Sequence, residues 1–503
     1  MTEGTEASSA TALAQAIARL SAAPQRLDLL DQAAGIAQQS GDAKRAADLY
    51  LDFIGQHASH AGAQFNCGYY CRAAGYYQQA IDHYQQALTL TIEQPEEVHT
   101  NIGVIYNEGL LDNRRAAAAF EQALAIAPNY LPALYNLANC YEQDGDKERA
   151  AAYFQKVIQQ APQFAMAYVR LADVQRAAAP DDPLIKQLDG FIEQSQRPLT
   201  ERIDMAFALG KLNNDCGDYQ AAWRYYQQGN AWNASLMPAW NEAKQRETLE
   251  LVRSQFSELL SANASAKASA KKPQPVFVCG MFRSGSTLLE QMLGGHSAIT
   301  SGGELEFFAR RWQRWRREGL QASLDNFSAA QAATLGEDYL AFVRERLGDV
   351  EVFTDKRPDN IWLIGLIKRA LPQAKFIVTR REPLDNALSV YFTRLGKAMP
   401  YANRFADILA YMQIERELLD HWQQLLGDDL QVVDYDQLVI EPQQQLAPVL
   451  KQLGLSWQPQ CLDFHQRDNS VRTASVWQVR QPLYQSSSGR WRNYQQFLAE
   501  FTE

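Results

Sequence analysis

A repeat in the first half of the chain constrains the fold more than any other feature of the sequence. Small residues recur 35 positions apart at Gly68, Gly103 and Ala138. An alanine follows each of them after 12 or 13 residues, and an aromatic residue follows each alanine four positions later: Tyr84, Phe120 and Phe154. Small residues let two antiparallel helices approach closely, and the aromatic ring fills the groove between them. Because one helical hairpin cannot bury its apolar face alone, the period predicts a stack of hairpins.

The clearest copy of this repeat is ALYNLANCYEQDGDKERAAAYFQKVIQQAP, residues 133–162, and it resembles the tetratricopeptide repeat almost position for position. Weaker copies lie around Ala34 and around Leu209. We predict a tail and first helix over residues 1–26 and tetratricopeptide-like repeats over residues 27–260; a generic alanine-rich helical bundle is the alternative. The concave face of such a stack suits an extended protein or peptide partner, and it equally suits oligomerisation or docking.

Length and charge exclude several classes of protein. At about 150 residues per domain, 503 residues suggest about three units. The net charge is 48 − 58 = −10, which disfavours a non-specific nucleic-acid binder. The longest apolar run, residues 275–282, is too short to span a bilayer, and the first residues lack the pattern of a secretory signal. We therefore expect a cytoplasmic protein with no transmembrane segment and no nucleic-acid partner.

The cysteines give no sign of a metal site in the sequence. Six are scattered along the chain, and only Cys67 and Cys71 are close together, without a second Cys or His pair to complete a zinc set. The repeat explains Cys67 and Cys140 as small core residues. We expect no bound metal.

The composition changes after residue 260. Residues 261–274, rich in alanine, serine and lysine, are predicted to be a linker. Buried-strand patterns follow at residues 276–280, 351–355, 375–379 and 430–435, separated by helix-like stretches. Residues 275–503 are therefore predicted to form a three-layer α/β domain with a parallel sheet, so the whole chain is of the class α + α/β.

A phosphate-binding loop is predicted directly after the first of these strands. Gly280 and Gly285 have the spacing of a P-loop, whose backbone N–H groups converge on an anion at the next helix N-terminus. Nucleotide triphosphatases need a lysine after the second glycine, but this chain has Ser286 there and carries its cation at Arg283. The loop therefore favours a phosphorylated ligand other than ATP or GTP; a plain strand–turn–helix corner is the alternative.

The sequence FRSGSTLLEQML resembles the loop with which sulfotransferases hold the 5′ end of 3′-phosphoadenosine 5′-phosphosulfate. A second family signature, a strand ending in arginine with a serine eight residues later, is matched by Arg381 and Ser389, with Glu382 where the family usually has aspartate. The resemblance implies that the donor contacts Arg283, Ser284, Gly285, Ser286, Thr287, Arg381, Ser389, Arg490 and Trp491. An arginine can hold a phosphate through two hydrogen bonds, which suits Arg381 to the 3′-phosphate.

Three further segments resemble the tyrosylprotein sulfotransferase branch. They place Glu304 where that branch carries its proposed general base, Lys356 where it has a conserved-motif lysine, and Ser475 where it has a catalytic serine. Arg490 and Trp491 stand in place of a Lys-Trp pair. The resemblance thus implies a catalytic set of four residues: Arg283, Glu304, Lys356 and Ser475. Each of the last three has an alternative interpretation. Glu304 could be an ordinary carboxylate at a helix start, Lys356 a solvated lysine, and Ser475 a serine that caps a turn.

The resemblance implies in-line sulfuryl transfer from 3′-phosphoadenosine 5′-phosphosulfate to an acceptor hydroxyl, without a metal. A tyrosine of a protein bound with help of the repeats is one acceptor, and a carbohydrate, a lipid or a small phenol are others. Two functions of other classes stay open: a non-catalytic interaction scaffold with a relic nucleotide domain, and a small-molecule P-loop kinase, which the absent lysine disfavours.

Overall fold

The structure is a computed structural model that describes residues 3–261, 273–466 and 479–501. The chain divides into two compact units, Met1–Gln175 and Arg176–Glu503. This division falls inside the predicted repeat region of residues 27–260. Most of the predicted linker, residues 262–272, lies outside the described residues. Within the described part, no helix combines the length and the apolar character that crossing a membrane requires.

The first unit consists of consecutive helices that pack against their neighbours in sequence. Their bounds are α1 Glu3–Ala22, α2 Leu27–Gln39, α3 Ala43–Gln56, α4 Ala61–Ala73, α5 Tyr77–Thr89, α6 Pro95–Val104, α7 Asn113–Ile126, α8 Leu131–Gln143, α9 Lys147–Gln160 and α10 Ala165–Val174. A π-helical turn, Ile105–Gly109, continues α6. This is the stack of hairpins that the repeat predicts.

The contact that the repeat predicts within each hairpin is present. A Cβ atom added at Gly68 would lie 2.9 Å from the ring of Tyr84, and one added at Gly103 would lie 2.5 Å from the ring of Phe120. No other side chain fits at these positions without moving a buried ring, because core rings are close-packed. The small residue therefore sets the distance between the two helices of each hairpin.

The turns between the helices use a recurring pair, a glycine followed by an aspartate. Gly41 and Gly145 have positive φ values of 82° and 85°, which glycine adopts without a steric penalty. The next residues, Asp42 and Asp146, accept a hydrogen bond from a backbone N–H in the first turn of the following helix. The glycine ends one helix and the aspartate begins the next, which fixes the tight hairpin.

The second unit begins with four helices, α11 Pro183–Ile192, α12 Leu199–Asp215, α13 Tyr219–Ser235 and α14 Glu242–Ser261. The pair α12 and α13 repeats the hairpin packing, since a Cβ at Gly210 would lie 2.8 Å from the ring of Tyr226.

A sheet follows, with strands β1 Gln274–Gly280, β2 Ile299–Ser301, β3 Val352–Lys356, β4 Lys375–Arg380 and β5 Leu430–Asp434. All pairings among the described residues are parallel, in the order β2-β3-β1-β4-β5. The predicted parallel sheet is confirmed. β2 has three residues, too few to show a pattern in the sequence, and it was not predicted.

Helices cover both faces of this sheet, which gives the predicted three layers. They are α15 Ser286–Leu293, α16 Phe307–Glu318, α17 Leu320–Asp325, α18 Ala329–Leu347, α19 Ile364–Ala370, α20 Pro383–Tyr391, α21 Phe405–Leu426, α22 Tyr435–Leu438, α23 Pro442–Gln452 and α24 Gln495–Leu498.

Alternate residues of β1 pack into different hydrophobic cores, one on each face of the sheet. Phe277 and Cys279 belong to one core, and Val276 and Val278 belong to the other. Because both faces of β1 are buried, its sequence is continuously apolar.

The helices α12 to α14 pack directly on the sheet domain. Asn230 Nδ2 donates a hydrogen bond to Tyr391 O at 2.8 Å, and Asn233 Nδ2 donates one to Leu395 O at 3.0 Å. The ring of Tyr226 stacks on the ring of Phe392 with centroids 3.9 Å apart. Buried amides bonded to backbone carbonyls fix one docking geometry, so these helices are an integral part of the second unit.

Candidate active site

The strand order places the predicted site residues at one edge of the sheet. β1 is central, and β3 and β4 flank it in parallel. The loop after β1 holds Arg283, Lys356 is the last residue of β3, and Arg381 follows directly after β4. In α/β sheets ligands bind beyond the carboxyl ends of such strands. The topology thus brings together side chains that lie up to 98 positions apart in sequence.

The loop after β1 is shaped by its two glycines. Gly280 and Gly285 have φ values of 130° and 101°, in the region that favours glycine. A Cβ at Gly280 would lie 2.5 Å from Thr379 O, and one at Gly285 would lie 2.4 Å from the Tyr435 ring. Neither position accepts a side chain, so the loop lies tightly against β4 and α22. The backbone N–H groups that follow Gly285 open helix α15, where an anion is favoured.

Arg283 is held in a strained conformation at the tip of this loop. Its φ is 67°, which is uncommon for a residue other than glycine. Its Nε donates a hydrogen bond to Ser389 Oγ at 3.2 Å, so two residues predicted to contact the donor contact each other. Burial, and next the charge of Arg381, lower the pKa of Arg283 to about 10. The guanidinium remains charged at neutral pH, and the cations around it favour an anion.

Arg381 carries a buried donor that nothing in the described part of the chain satisfies. Its two terminal nitrogens donate to the backbone, Nη1 to Arg283 O at 3.5 Å and Nη2 to Ser487 O, and its guanidinium lies 4.8 Å from the Tyr435 ring centre. Its Nε is buried without a partner among the described residues. An unsatisfied charged donor costs free energy unless a ligand meets it.

The loop serines have different surroundings. Ser284 Oγ lies 2.6 Å from Thr379 Oγ1 in the core, so this hydroxyl ties the loop to β4. Ser286 and Thr287 are buried in the first turn of α15. The backbone N–H of Ser284 also donates a hydrogen bond, to Met281 O at 3.1 Å, so this residue shapes the loop through both groups.

Glu304 and Lys356 form an ion pair. Lys356 Nζ donates to Glu304 Oε1; the lysine side chain is 2% exposed and the glutamate side chain 41%. The segment before Glu304 is fixed to β3, because Lys356 N donates to Gly303 O at 2.8 Å. A carboxylate reachable from solvent and oriented by a buried ammonium is suited to take a proton from a bound hydroxyl.

Glu290 is a site residue that the sequence analysis missed. It is fully buried on α15 and accepts hydrogen bonds from Gly303 N and Thr354 Oγ1, both at 2.9 Å. Burial raises its pKa, and the charge of Lys356 counteracts this. Glu290 thereby positions the segment that carries Glu304. A carboxylate inside the apolar run TLLEQML is the signal that would have revealed it.

Asp385, on α20, attaches the C-terminal segment to the site and was also missed. Its carboxylate accepts from Gly489 N at 2.5 Å and from Trp491 N at 2.7 Å. Arg490 lies between these two contacts. It donates a hydrogen bond to Asn214 Oδ1 at 3.0 Å, and its guanidinium lies 5.0 Å from the Phe392 ring centre. The predicted Arg490 and Trp491 are thus bound to α20 and α12. Ser475 lies outside the described residues.

A cavity of about 480 Å³ lies beside Glu304. Glu304 and the loop residue Phe282 line it. Aromatic side chains form one part of its wall, namely Trp240, Trp312, Trp362, Tyr401 and Tyr411, and charged side chains form another, namely Lys244, Arg316, Arg357 and Asp359. Glu415 lies in its wall, fully buried, and burial raises its pKa to about 8, so it is mainly protonated at neutral pH. The cavity offers flat apolar surfaces and a neutral carboxyl beside the candidate base.

Comparison with known families identifies the two parts of the chain. Residues 275–459 match the model of the sulfotransferase family, and residues 32–95 and 112–172 match models of the tetratricopeptide repeat. The chain joins tetratricopeptide repeats to a sulfotransferase domain. The matched repeats lie in the first compact unit, and the matched sulfotransferase residues hold all five described strands.

The chain has distant relatives among curated proteins. An uncharacterized protein of Aquifex aeolicus is 27% identical over 79% of this chain and 52% of its own length. Protein-tyrosine sulfotransferase 2 of Gallus gallus is 23% identical over 43% of this chain and 60% of its own length. The chain therefore spans about half to three fifths of these two relatives. Among solved structures, the sulfotransferase domain of the Synechococcus PCC 7002 olefin synthase matches 47% of this chain and 98% of its own, with 21% identity and a TM-score of 0.35.

Proposed function

We propose that the chain transfers a sulfuryl group from 3′-phosphoadenosine 5′-phosphosulfate to an acceptor hydroxyl. The observation that carries the proposal is the arrangement of Arg283, Arg381 and Arg490 at the carboxyl edge of the sheet. In the described part of the chain, neither Arg381 nor Arg490 forms an ion pair with a carboxylate. Two arginines without a carboxylate partner, next to the cationic Arg283, favour a multiply charged anion, and a donor with two phosphate-bearing ends meets that need.

The residues fit such a donor at two places. The backbone N–H groups from Gly285 to Thr287, at the start of α15, would hold its 5′ end. Arg381, with its unsatisfied Nε, and Ser389 would hold the 3′-phosphate. Arg490 and Trp491, fixed by Asp385, would complete this side of the site.

The donor, when bound, supplies the sulfuryl group: the acceptor oxygen bonds to sulfur as the bond from sulfur to the bridging oxygen breaks. Glu304 takes the proton of the acceptor hydroxyl, because it is an exposed carboxylate in the cavity wall and the buried Lys356 orients it. Lys356 and Arg283 stabilise the negative charge that develops on the oxygens, and Ser475 is proposed to assist them. Preorganised cations of this kind act mainly by positioning and electrostatics.

The cavity beside Glu304 supports an aromatic hydroxyl as the acceptor. Its tryptophan and tyrosine side chains suit a planar ring, and Glu304 lines the same cavity. A tyrosine of a protein or peptide is the acceptor we propose, and the repeats of the first unit would bind that protein. If the repeats do not contribute to acceptor binding, the acceptor would instead be a small phenol, a carbohydrate or a lipid.

Donor binding is tested by calorimetric titration of the purified protein with 3′-phosphoadenosine 5′-phosphate. We expect micromolar binding that is lost in the double variant Arg283→Ala, Arg381→Ala. Binding of ATP with magnesium in its place would support a kinase, and binding of neither nucleotide by folded protein would support a scaffold.

Acceptor specificity is tested separately, with the donor labelled on its sulfur. Label should pass to tyrosine-containing peptides and not to the same peptides with phenylalanine. Transfer to sugars or lipids alone would overturn the tyrosine acceptor and leave the sulfotransferase intact.

A further inference from the structure

Two cysteines and a histidine converge in the first unit, and none of them belongs to the candidate active site. Cys67 and Cys71 lie one turn apart on α4, with their sulfur atoms 3.9 Å apart, and His83 lies on α5. One ligand atom from each of the three lies within 4.8 Å of the others. Both cysteines are fully buried and His83 is half-buried. No other such group of three occurs among residues 3–261, 273–466 and 479–501.

The neighbouring Gln64 fixes the state of the histidine. Its amide Nε2 donates to Ala58 O at 2.8 Å, which sets the orientation of the amide. Its Oε1 therefore faces His83 Nδ1 at 2.7 Å, and an oxygen that only accepts requires Nδ1 to donate. The second ring nitrogen, Nε2, keeps its lone pair. Metal-binding histidines are commonly oriented in this way, with one N–H donated to a carbonyl oxygen.

We propose that Cys67, Cys71 and His83 bind a Zn²⁺ ion. Two Zn–S bonds of about 2.3 Å at a tetrahedral angle place the sulfur atoms about 3.8 Å apart, which agrees with the separation found. Two thiolates and one neutral imidazole are a known zinc ligand set, completed by water at the fourth position. The half-buried side of His83 gives that water access. Binding releases the two thiol protons to solvent.

The proposal changes the interpretation of Cys67 drawn from the repeat. A small core residue explains the burial of Cys67, but it does not explain a second cysteine one turn later, nor a histidine held by a buried glutamine. The ion would join α4 to α5, the two helices of a single repeat. It would stabilise that hairpin independently of any sulfotransferase activity.

The test uses the full chain, reduced and stripped of metal, and titrated with Zn²⁺ against a competing chromophoric chelator. We expect one equivalent to bind, with affinity reduced at least about tenfold in Cys71→Ala and in His83→Gln. Cys140→Ala is the matched control, since Cys140 is an equally buried cysteine of the same unit, and it should bind like the parent protein.

Two further readouts separate loss of the site from loss of the fold. Co²⁺ in place of Zn²⁺ should give a thiolate-to-metal absorption band that disappears in Cys71→Ala. Zn²⁺ at about 100 times the parent's dissociation constant should raise the melting temperature of the parent protein by about 5 °C, and that of His83→Gln by at most about half as much. His83→Gln, at a half-buried position, should keep the helical circular dichroism of the parent. Absence of stoichiometric binding, or equal binding by the variants, would overturn the site.

Discussion

Lys356 Nζ donates a hydrogen bond to Glu304 Oε1 across the carboxyl ends of β3 and β2. The lysine is buried in the sheet edge, whereas the glutamate side chain is 41% exposed. The buried Lys356 ammonium holds the exposed Glu304 carboxylate in one orientation, in the wall of the cavity. Before the ligands arrive, each charge compensates the other. If an anionic donor binds as we propose, Lys356 gains a second partner, which would release Glu304 to accept a proton.

Substitution of Glu304 by glutamine should lower turnover by about 10²- to 10⁴-fold, because the amide cannot accept the acceptor's proton. Donor affinity, measured by calorimetry, should change little. Glu306→Gln is the matched control: it lies two residues away and pairs with Arg310 on an exposed helix face. Near-normal turnover of folded Glu304→Gln protein would exclude this glutamate as the base.

Substitution of Arg381 by alanine should weaken binding of 3′-phosphoadenosine 5′-phosphate by about 10- to 100-fold, as expected for loss of charge-assisted hydrogen bonds. Arg380→Ala removes the preceding arginine, which is more than half exposed and lies 3.6 Å from Asp434, and should bind normally. The measurement is a titration of each variant at one salt concentration. Equal weakening in both variants would indicate a general charge effect and contradict a specific role for Arg381.

Substitution of Gly285 by alanine should abolish donor binding by distorting the loop. The added Cβ would meet the Tyr435 ring at 2.4 Å, and φ at this residue is 101°. The strain is of order 1–3 kcal/mol, which a folded domain tolerates but a preorganised loop does not. Gly396→Ala is the matched control, because no atom lies within 4 Å of a Cβ added at Gly396. This variant should keep the melting temperature and the donor affinity of the parent protein. A Gly285→Ala protein that binds the donor normally would show that the loop does not hold it.

The stability of the second unit should fall as pH rises from about 4.5 to about 8, partly because of Glu415. Its pKa is raised by burial to about 8 from 4.5, so the folded state holds a proton that the unfolded state loses. Between the two pKa values, the free energy of unfolding then decreases by about 1.4 kcal/mol per pH unit for each such group. Glu415→Gln should make the dependence shallower without removing it, since the pKa of Asp355 is also raised to about 8 by burial. The measurement is urea denaturation of the parent protein and of Glu415→Gln at a series of pH values. If the free energy of unfolding depended on pH equally in both proteins, Glu415 would not contribute to the dependence.

The sequence predicts best where a feature repeats or where a spacing is chemically demanding. The pairs Gly68 with Tyr84 and Gly103 with Phe120 were found because a close helix contact needs one small residue and one ring at each turn of the repeat. The loop from Gly280 to Gly285 was found because two positions there exclude side chains.

The missed residues act through contacts that leave no local pattern. Glu290 supports the Glu304 segment from 13 positions away, and Asp385 binds backbone more than 100 positions further on. Each is a single polar residue whose partner is set only by the tertiary fold. The aromatic cavity is assembled from segments of residues 238–415, so its shape was likewise inaccessible to sequence reasoning.

Asn214 accepts hydrogen bonds from both Arg490 and Tyr494, so a helix that precedes residues 262–272 holds the far end of the chain. Cleavage of the backbone within residues 262–272 should therefore leave two fragments that stay bound to each other without a covalent bond. A nicked protein of this kind should migrate as two bands after denaturation, yet elute from a sizing column as one particle. By the same reasoning, a gene fragment that starts at β1 would encode the sheet domain without α12 to α14, which pack against it, and this fragment should be less stable than the full chain.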